Sequence, residues 1–216
     1  MSRTEKSVEI ITSRGLPIQV RTRGTQDYLQ TQSEMQQFVA GADESTNDQI
    51  WLLQHPPTYT QGTACTQQPF NPIDIPLVQS DRGGQITYHG PGQIVLYPLL
   101  ALRRHGLSVK GLVSNLEQAV IDLLSDYQIL AERRQGAPGI YVSGAKIAAL
   151  GLRIRKGWSY HGLSLNVYMD LTPFNNIDPC GYAGLKATQM VDESKQIDID
   201  HTAIGQNLVK RFCALL

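Results

Sequence analysis

The stretch KIAALGLRIRKGWSYHGLSLNV, residues 146–167, decides most about the fold of this chain. Apolar residues occupy alternate positions in each of its halves: Leu150, Leu152 and Ile154, then Leu163, Leu165 and Val167. A period of two is typical of a β-strand with one buried face. The pair Lys156-Gly157 between the halves has the length of a hairpin turn. The stretch therefore predicts two strand segments, 146–155 and 158–167.

The other predicted elements include both helices and strands. Apolar residues at the spacing i, i+3, i+4 and i+7 predict a helix over Val109–Tyr127, with Ser108 as its N-cap. The remaining predictions are helices at Tyr28–Val39 and around Ile204–Leu215, strands at Ile50–Leu53, Ile94–Leu100 and Gly139–Ser143, and a proline-rich loop at Thr66–Pro76. This mixed order favours an α/β fold with a mixed sheet, α+β-like in its element order, over regular βαβ alternation.

Length and charge exclude several protein classes. The chain has 216 residues, with 19 basic and 19 acidic side chains, and 41% of its residues are hydrophobic. These values predict one globular domain, residues 1–216. A net charge of zero argues against a nucleic-acid binder that neutralises many phosphates. No apolar run is long enough to span a membrane, and residues 1–10 are too polar for a signal peptide, so we expect a cytoplasmic protein.

The glycine-rich segment RGGQITYHGPGQ, residues 82–93, allows two compatible interpretations. As a ligand loop, its glycines would let the backbone approach a ligand closely, with Arg82 supplying charge and Thr87, Tyr88 and His89 supplying hydrogen bonds. As a hairpin, Ile86–Tyr88 would be a strand that turns at residues 90–92 and returns through residues 94–100. The segment matches neither the P-loop pattern nor the dinucleotide-binding glycine pattern.

Two polar residues on the 146–167 strands are also open to two interpretations. Lys146, among small and apolar residues, either extends its ammonium to solvent or lies in a pocket, where burial would lower its pKa. His161 shares strand parity with Leu163 and Leu165, which predicts a partly buried, hydrogen-bonded histidine on their face. Gly162 and Ser164 on the opposite face would leave space for a ligand.

The three cysteines are odd in number and far apart, which suggests neither a disulfide framework nor a metal site. Cys180, in Asp178-Pro179-Cys180-Gly181, is predicted to lie on a loop, and it would be reactive only if a nearby cation or helix N-terminus stabilised its thiolate. Lys146, His89 and His161 are the candidates, and their spacing in the sequence does not distinguish them. Cys213 is predicted to be a small hydrophobic residue of the core, and the sequence does not decide between a core and a loop environment for Cys65.

Together, four segments resemble the lipoyl(octanoyl) transferase family. They are RGGQITYHGPGQ at 82–93, GAKIAALG at 144–151, HGLSLNV at 161–167 and PCGYAG at 179–184. The resemblance implies the fold of the biotin/lipoate protein ligase catalytic domain. It also implies transfer of an octanoyl group from octanoyl-acyl carrier protein to a lysine of lipoyl domains, which belong to 2-oxoacid dehydrogenases and the glycine cleavage H protein.

The resemblance also implies roles for particular residues. Cys180 would be the nucleophile that carries the acyl thioester, and Lys146 would lower its pKa and transfer protons. The residues implied to bind the acyl chain are Arg82, Gly83, Gly84, Gln85, Ile86, Thr87, Tyr88, His89, Ala149, Leu150, Gly151, Gly162, Leu163 and Ser164. We expect His89 and His161 to shape the pocket, and we expect no cofactor, no metal, no nucleic acid and no membrane among the partners.

Three alternatives remain at this point. An ATP-dependent lipoate-protein ligase of the same fold would not need Cys180, and a non-catalytic acyl- or carrier-binding module would need neither Cys180 nor Lys146. A cysteine hydrolase is the third. Because the expected protein partners are acidic, basic clusters at residues 103–105, 133–134 and 153–156 are either ordinary solvated surface or sites of electrostatic steering.

Overall fold

The computed structural model of the protein describes residues 6–12, 14–65, 74–177, 185–194 and 200–216. Within these ranges the chain forms two sheets and four α-helices. The strands are β1 (Lys6–Ile11), β2 (Pro17–Thr25), β3 (Asp48–Gln54), β4 (Thr58–Gln61), β5 (Leu77–Gln79), β6 (Ile86–His89), β7 (Gln93–Leu99), β8 (Glu132–Arg134), β9 (Ala137–Val142), β10 (Ala145–Arg155) and β11 (Trp158–Asn166). The helices are α1 (Tyr28–Gly41), α2 (Val109–Asp126), α3 (Met190–Glu193) and α4 (His201–Ala214), with a 3₁₀ turn at Thr172–Asn176.

The larger sheet has eight strands in the order β1-β2-β3-β7-β11-β10-β9-β8. Its neighbours are antiparallel except for the parallel pair β2–β3. The smaller sheet has the order β5-β4-β6, with β4 parallel to β5 and antiparallel to β6. The predicted mixed-sheet α/β fold is therefore confirmed.

The hairpin β10–β11 lies inside the larger sheet and agrees with its prediction to within one residue at each end. Its register runs from Arg155↔Trp158 to Ala148↔Leu165. Lys156 and Gly157 both have positive φ, 51° and 80°, which is the backbone of a tight two-residue hairpin turn. The turn therefore fixes the pairing of the two strands.

Both faces of the larger sheet are buried, because alternate residues of its central strands enter different cores. One face packs under α2 and α4 through Ile50, Leu52, Ile94, Leu96, Leu163 and Leu165. The other face packs with α1 through Trp51, Leu53, Val95, Tyr97, Trp158 and Tyr160. The smaller sheet covers part of this second side, and the space between the two sheets is where the candidate site lies.

The predicted helices are confirmed, and their ends are capped as their sequences indicate. The Ser108 hydroxyl accepts a hydrogen bond from the Gly111 amide at 3.0 Å, and Asp27 and Asp200 cap α1 and α4 in the same way. None of the helices in the described ranges is long and apolar enough to cross a membrane.

The hairpin interpretation of residues 86–100 is wrong. Strand β6 pairs with β4 in the smaller sheet, whereas β7 pairs with β3 and β11 in the larger one. Both strands are buried along their whole length, so the sequence pattern carries no face that would identify the partner. Of the predicted loop Thr66–Pro76, residues 66–73 lie outside the described residues.

We expect Gly162→Ala to destabilise the protein by about 2–3 kcal/mol. A Cβ atom at this position would lie 2.1 Å from the Leu96 carbonyl oxygen of neighbouring strand β7, which cannot move without breaking the sheet. Gly41→Ala is the control, because a Cβ there meets nothing within 4 Å. Urea unfolding gives the free energy of unfolding of both variants, and equal values would contradict the prediction.

Candidate active site

A cavity of about 220 Å³ lies between the two sheets. Strands β6, β7, β9, β10 and β11 contribute to its wall, together with Ala64, the loop at residues 82–85 and the turn before β9. The apolar part of the wall includes Ile86, Pro138, Ala149, Leu150 and Leu163. The cavity is therefore built from segments up to 100 residues apart, at the place where the sheets face each other.

The loop 82–85 docks directly on strand β10. The Gly83 amide donates a hydrogen bond to the Leu152 carbonyl at 2.9 Å. A Cβ atom on Gly151 would lie 2.7 Å from the Gly83 carbonyl oxygen, so the loop can approach the strand this closely only because residue 151 is glycine. The glycines at these positions thus bring the loop against the sheet.

The Arg82 guanidinium is engaged by protein oxygens. Nη2 donates to the carbonyls of Thr60 at 2.6 Å and Gln85 at 2.7 Å, Nη1 donates to Gly83 at 2.9 Å, and Nε donates to the Thr60 hydroxyl at 3.1 Å. The residue is 7% exposed. Arg82 therefore joins its own loop to strand β4 and forms part of the cavity wall as a structural cation.

Three histidines, His55, His89 and His161, pack around the rings of Tyr28 and Tyr97 beside the cavity. Their ring centroids lie 5.0–6.5 Å from Tyr28. Burial lowers the pKa of His55 to about 4 and also lowers the pKa values of His89 and His161. All three rings are therefore neutral at pH 7. Within the described ranges, no group of three His, Cys, Asp or Glu side chains is arranged to hold a metal ion.

The tautomers of these rings follow from their partners. Nδ1 of His55 lies 2.7 Å from the Gln26 carbonyl and must donate, so Nε2 accepts from the Tyr97 hydroxyl at 2.8 Å. Nδ1 of His89 donates to Oε1 of Gln93 at 2.7 Å. The hydrogen bonds hold these two rings in one orientation each.

The expectation that His161 shares a face with Leu163 and Leu165 is wrong. His161 has φ of 54°, in the left-handed region, and its ring stacks on Tyr160 with centroids 5.0 Å apart. Its Nε2 lies 2.7 Å from the Asp81 carboxylate, beside the loop 82–85. The local backbone conformation turns the ring toward Tyr28, Tyr97 and Tyr160, against strand parity.

Lys146 is buried, at 6% exposure, so the interpretation that its ammonium reaches solvent is wrong. Nζ donates to the Pro138 carbonyl at 3.3 Å and lies 5.3 Å from the centroid of the Tyr141 ring. The backbone of Lys146 bonds to Lys186 at 2.8 Å and to Thr188 at 2.9 Å. The residue is thus fixed by its main chain, and its side chain lines the cavity.

A model of the lipoyl protein ligase A/B catalytic domain matches residues 26–213. The chain belongs to this family. It is 52% identical over 203 residues to an octanoyltransferase of Azoarcus sp. (strain BH72), covering 93% of this chain and 88% of that protein. It is 57% identical over 178 residues to an octanoyltransferase of Dechloromonas aromatica (strain RCB), covering 82% and 87%. At this similarity the chain is an acyltransferase.

Solved structures of the family and its neighbours share the fold. Lipoate-protein ligase A bound with ATP superposes with a TM-score of 0.69 at 13% identity, covering 88% of this chain and 81% of that one. Biotin protein ligase from Aquifex aeolicus with biotin and ATP gives a TM-score of 0.54 at 13% identity, covering 90% and 68%. The predicted biotin/lipoate protein ligase catalytic-domain fold is confirmed.

Most residues that the family resemblance implied for acyl binding line the cavity. Of that set, Gly83 and Tyr88 do not line it. Gly83 bonds to β10 as described, and the Tyr88 ring packs edge-to-face on Phe174 with centroids 5.5 Å apart. The Tyr88 ring lies in the core cluster of the smaller sheet, while its neighbours Thr87 and His89 line the cavity.

The three cysteines have different settings. Cys180 lies outside the described residues. Cys213 is buried in α4, and burial raises the pKa of its thiol to about 12, in agreement with a core residue. Cys65 is half-buried, follows the cavity-lining Ala64, and packs against the cluster that contains Ile86.

Sequence reasoning missed part of the cavity wall. Tyr97 appeared only as part of a buried strand, and Gly136 with the first two residues of β9, Ala137 and Pro138, carried no signal beyond their turn-forming types. The family resemblance could not add them, because they lie outside its four segments. The sequence Gly136-Ala137-Pro138, which joins a turn to the start of β9, is a pattern that could have drawn attention.

The basic clusters differ in how much charge they expose. His105 is fully buried on the Asp48 carboxylate, and Arg133 bonds to Glu117 at 3.0 Å. Residues 153, 155 and 156 are exposed at the end of the β10–β11 hairpin. The cluster at 153–156 thus presents charge to solvent more fully than the clusters at 103–105 and 133–134.

We expect the protein to lose stability on acidification from pH 6.5 toward pH 4. The pKa of His55 is depressed in the folded state, so its contribution is complete above the unfolded value of about 6.5. Below that pH the unfolded chain binds the proton that the folded one excludes, and stability falls by about 1.4 kcal/mol per pH unit for this residue.

Urea unfolding at pH 7.5 and pH 5.5 measures the loss. His55→Gln should be less stable at pH 7.5, and its stability should depend less on pH than that of the wild type. An identical pH dependence in the two proteins would show that His55 is not responsible.

Proposed function

We propose that the protein transfers an octanoyl group from octanoyl-acyl carrier protein to a lysine of a lipoyl domain, through a thioester on Cys180. The acceptors would be lipoyl domains of 2-oxoacid dehydrogenases and the glycine cleavage H protein. Residues 1–216 would act as one catalytic domain, which is enough because each protein partner brings its reacting group on an extended arm. The reaction would take place in the cytoplasm.

The observation that carries this proposal is the cavity between the sheets with the buried Lys146 in its wall. An apolar cavity of roughly 150 Å³ holds benzene, which has six carbon atoms, so about 220 Å³ suits an eight-carbon chain. The names of the relatives, octanoyltransferases at 52% and 57% identity, agree with this size.

The chemistry proceeds in two balanced steps. In the first, the Cys180 thiolate attacks the carbonyl carbon of the donor thioester; a carbon–sulfur bond to Cys180 forms, and the bond to the carrier sulfur breaks. In the second, the acceptor amine attacks the same carbon, an amide forms, and the Cys180 sulfur leaves. One thioester replaces another in the first step, so no ATP is needed, and covalent catalysis divides a difficult transfer into two.

Lys146 is proposed to move the protons of both steps. As an ammonium ion it stabilises the thiolate of Cys180 and gives its proton to the departing carrier thiol. As the neutral amine that results, it takes a proton from the attacking lysine of the lipoyl domain. A lysine buried in the wall of a cavity, whose Nζ donates to the Pro138 carbonyl at 3.3 Å, suits this exchange better than one in solvent.

Intact-mass measurement after incubation with octanoyl-acyl carrier protein, without ATP, tests the proposal. We expect the mass of one octanoyl group to be added, and Cys180→Ala to abolish the addition. Lys146→Ala should slow it by about 100-fold, in the range typical of a lost general acid–base. Cys65→Ser and Cys213→Ser are matched controls that should retain the adduct.

Apo lipoyl domain added to the acylated protein should remove the octanoyl group and gain it on a lysine. An absolute requirement for ATP would favour a lipoate-protein ligase. Release of octanoate to water at the same rate with or without the lipoyl domain would favour a hydrolase, and either result would refute the transferase proposal.

We expect Ala149→Leu to shift the acyl preference toward shorter chains. The added carbons would occupy part of the cavity that Ala149 lines. Because each buried methylene contributes about 0.8 kcal/mol, kcat/KM for an octanoyl donor should fall relative to a hexanoyl donor by roughly fourfold for each methylene displaced.

Ala40→Leu is the matched control for this prediction, since Ala40 is exposed on α1. The ratio of kcat/KM values for the two donors is the measurement. An unchanged ratio in Ala149→Leu would mean that the chain does not lie against this wall.

A further inference from the structure

Two hydroxyl groups in the cavity wall, those of Thr87 and Ser164, have no hydrogen-bond partner in the described part of the protein. Thr87 is 8% exposed and Ser164 is 4% exposed. Neither oxygen is among the fully enclosed polar atoms that lack a partner, so both hydroxyls are open to the cavity. Groups of this kind in native proteins are usually completed by a ligand or a water molecule.

The other polar side chains of the wall differ from this pair. Arg82 donates to the carbonyls of Thr60 and Gln85. His89 donates to Gln93, and the Tyr97 hydroxyl donates to His55. Two buried wall atoms without a described partner remain, Oε1 of Gln85 and Nδ1 of His161. Oε1 is an acceptor, and so is Nδ1 of neutral His161, whose Nε2–H faces Asp81.

The two hydroxyls adjoin Lys146. A second void of about 10 Å³ lies next to the cavity, and its wall contains Thr87, Lys146, Ala149 and Ser164, which also line the main cavity. Phe174 is part of the far side of this void. The unpartnered donors are therefore on the part of the wall where the proposed reaction takes place.

An octanoyl thioester has one oxygen atom, and the rest of the acyl group is hydrocarbon. That oxygen accepts hydrogen bonds and has two lone pairs, so it matches two donors and offers nothing to acceptors. We propose that the hydroxyls of Thr87 and Ser164 donate hydrogen bonds to the acyl carbonyl oxygen and stabilise the charge that develops on it. This inference rests on the proposed function.

The charge follows from the transfer itself. When the nucleophile adds to the carbonyl carbon, the π-electron pair moves onto the oxygen, and it returns when the sulfur leaves. Donors that stand in the cavity wall before the reaction begins stabilise that oxyanion more than the neutral carbonyl. The same pair serves both steps, because the oxygen belongs to the acyl group in each of them.

Infrared spectroscopy of the acylated protein tests the inference directly. Wild type, Thr87→Val, Ser164→Ala and Thr87→Ser are loaded with octanoyl-acyl carrier protein carrying ¹³C at the carbonyl, and the mass adduct is counted in each. We expect the thioester carbonyl stretch to move to higher wavenumber in Thr87→Val and Ser164→Ala. Thr87→Ser, which keeps the hydroxyl, should match the wild type.

Single-turnover rates give a second readout. Discharge to apo lipoyl domain should slow by about tenfold or more in Thr87→Val, since loss of one oxyanion donor costs about 10²–10³ in a well-studied protease. The KM for the donor should stay within about twofold. If Thr87→Val fails to fold, Ser164→Ala removes a single oxygen atom and provides the same comparison.

The outcomes are separable. No adduct on the wild type would overturn both the proposed function and this inference. Normal adducts with an unchanged carbonyl stretch and an unchanged discharge rate would overturn the inference alone, and would indicate that the hydroxyls hold a water molecule.

Discussion

The docking of the loop 82–85 on strand β10 is the contact on which the cavity depends. One hydrogen bond from Gly83 to Leu152 and the close approach at Gly151 set the distance between loop and sheet. The Arg82 guanidinium then ties the loop to β4, so the smaller sheet is held at that distance as well. Without this contact the large sheet would expose a buried face, and the cavity would have no second wall.

Most of the polar side chains around this contact are either uncharged or hydrogen-bonded to another side chain. Burial keeps His55 and His89 uncharged, although Arg82 lies among them, and the Asp81 carboxylate faces His161 and Tyr160. These hydrogen bonds hold the pKa of Asp81 below its usual value in spite of burial, which raises it. Apart from the hydroxyls of Thr87 and Ser164, several donors of the cavity wall, including those of Arg82, His89 and Tyr97, are thus already engaged by protein acceptors.

The local sequence pattern predicted most helices and strands of this fold correctly. It did not predict which distant strands pair with each other. The hairpin β10–β11 and helix α2 follow from periodicity and caps that lie within a few residues of each other. The partner of β6 could not be predicted, since both faces of that strand are buried. His161 was assigned to the wrong face because a left-handed backbone residue breaks the parity rule. The cavity wall at Pro138 depends on tertiary packing, which no local signal records.

The way Lys146 is held has an entropic consequence. A lysine side chain in solvent has about 2 kcal/mol of rotamer entropy, which is lost when the side chain is held in one conformation. In this protein the amide and the carbonyl of Lys146 are bonded to residues 186 and 188, and Lys146 lies opposite Tyr141 of β9 in the sheet. Packing beside Tyr141 and Gly139 restricts the side chain further. Folding has therefore already removed much of this disorder, and binding of substrate need not.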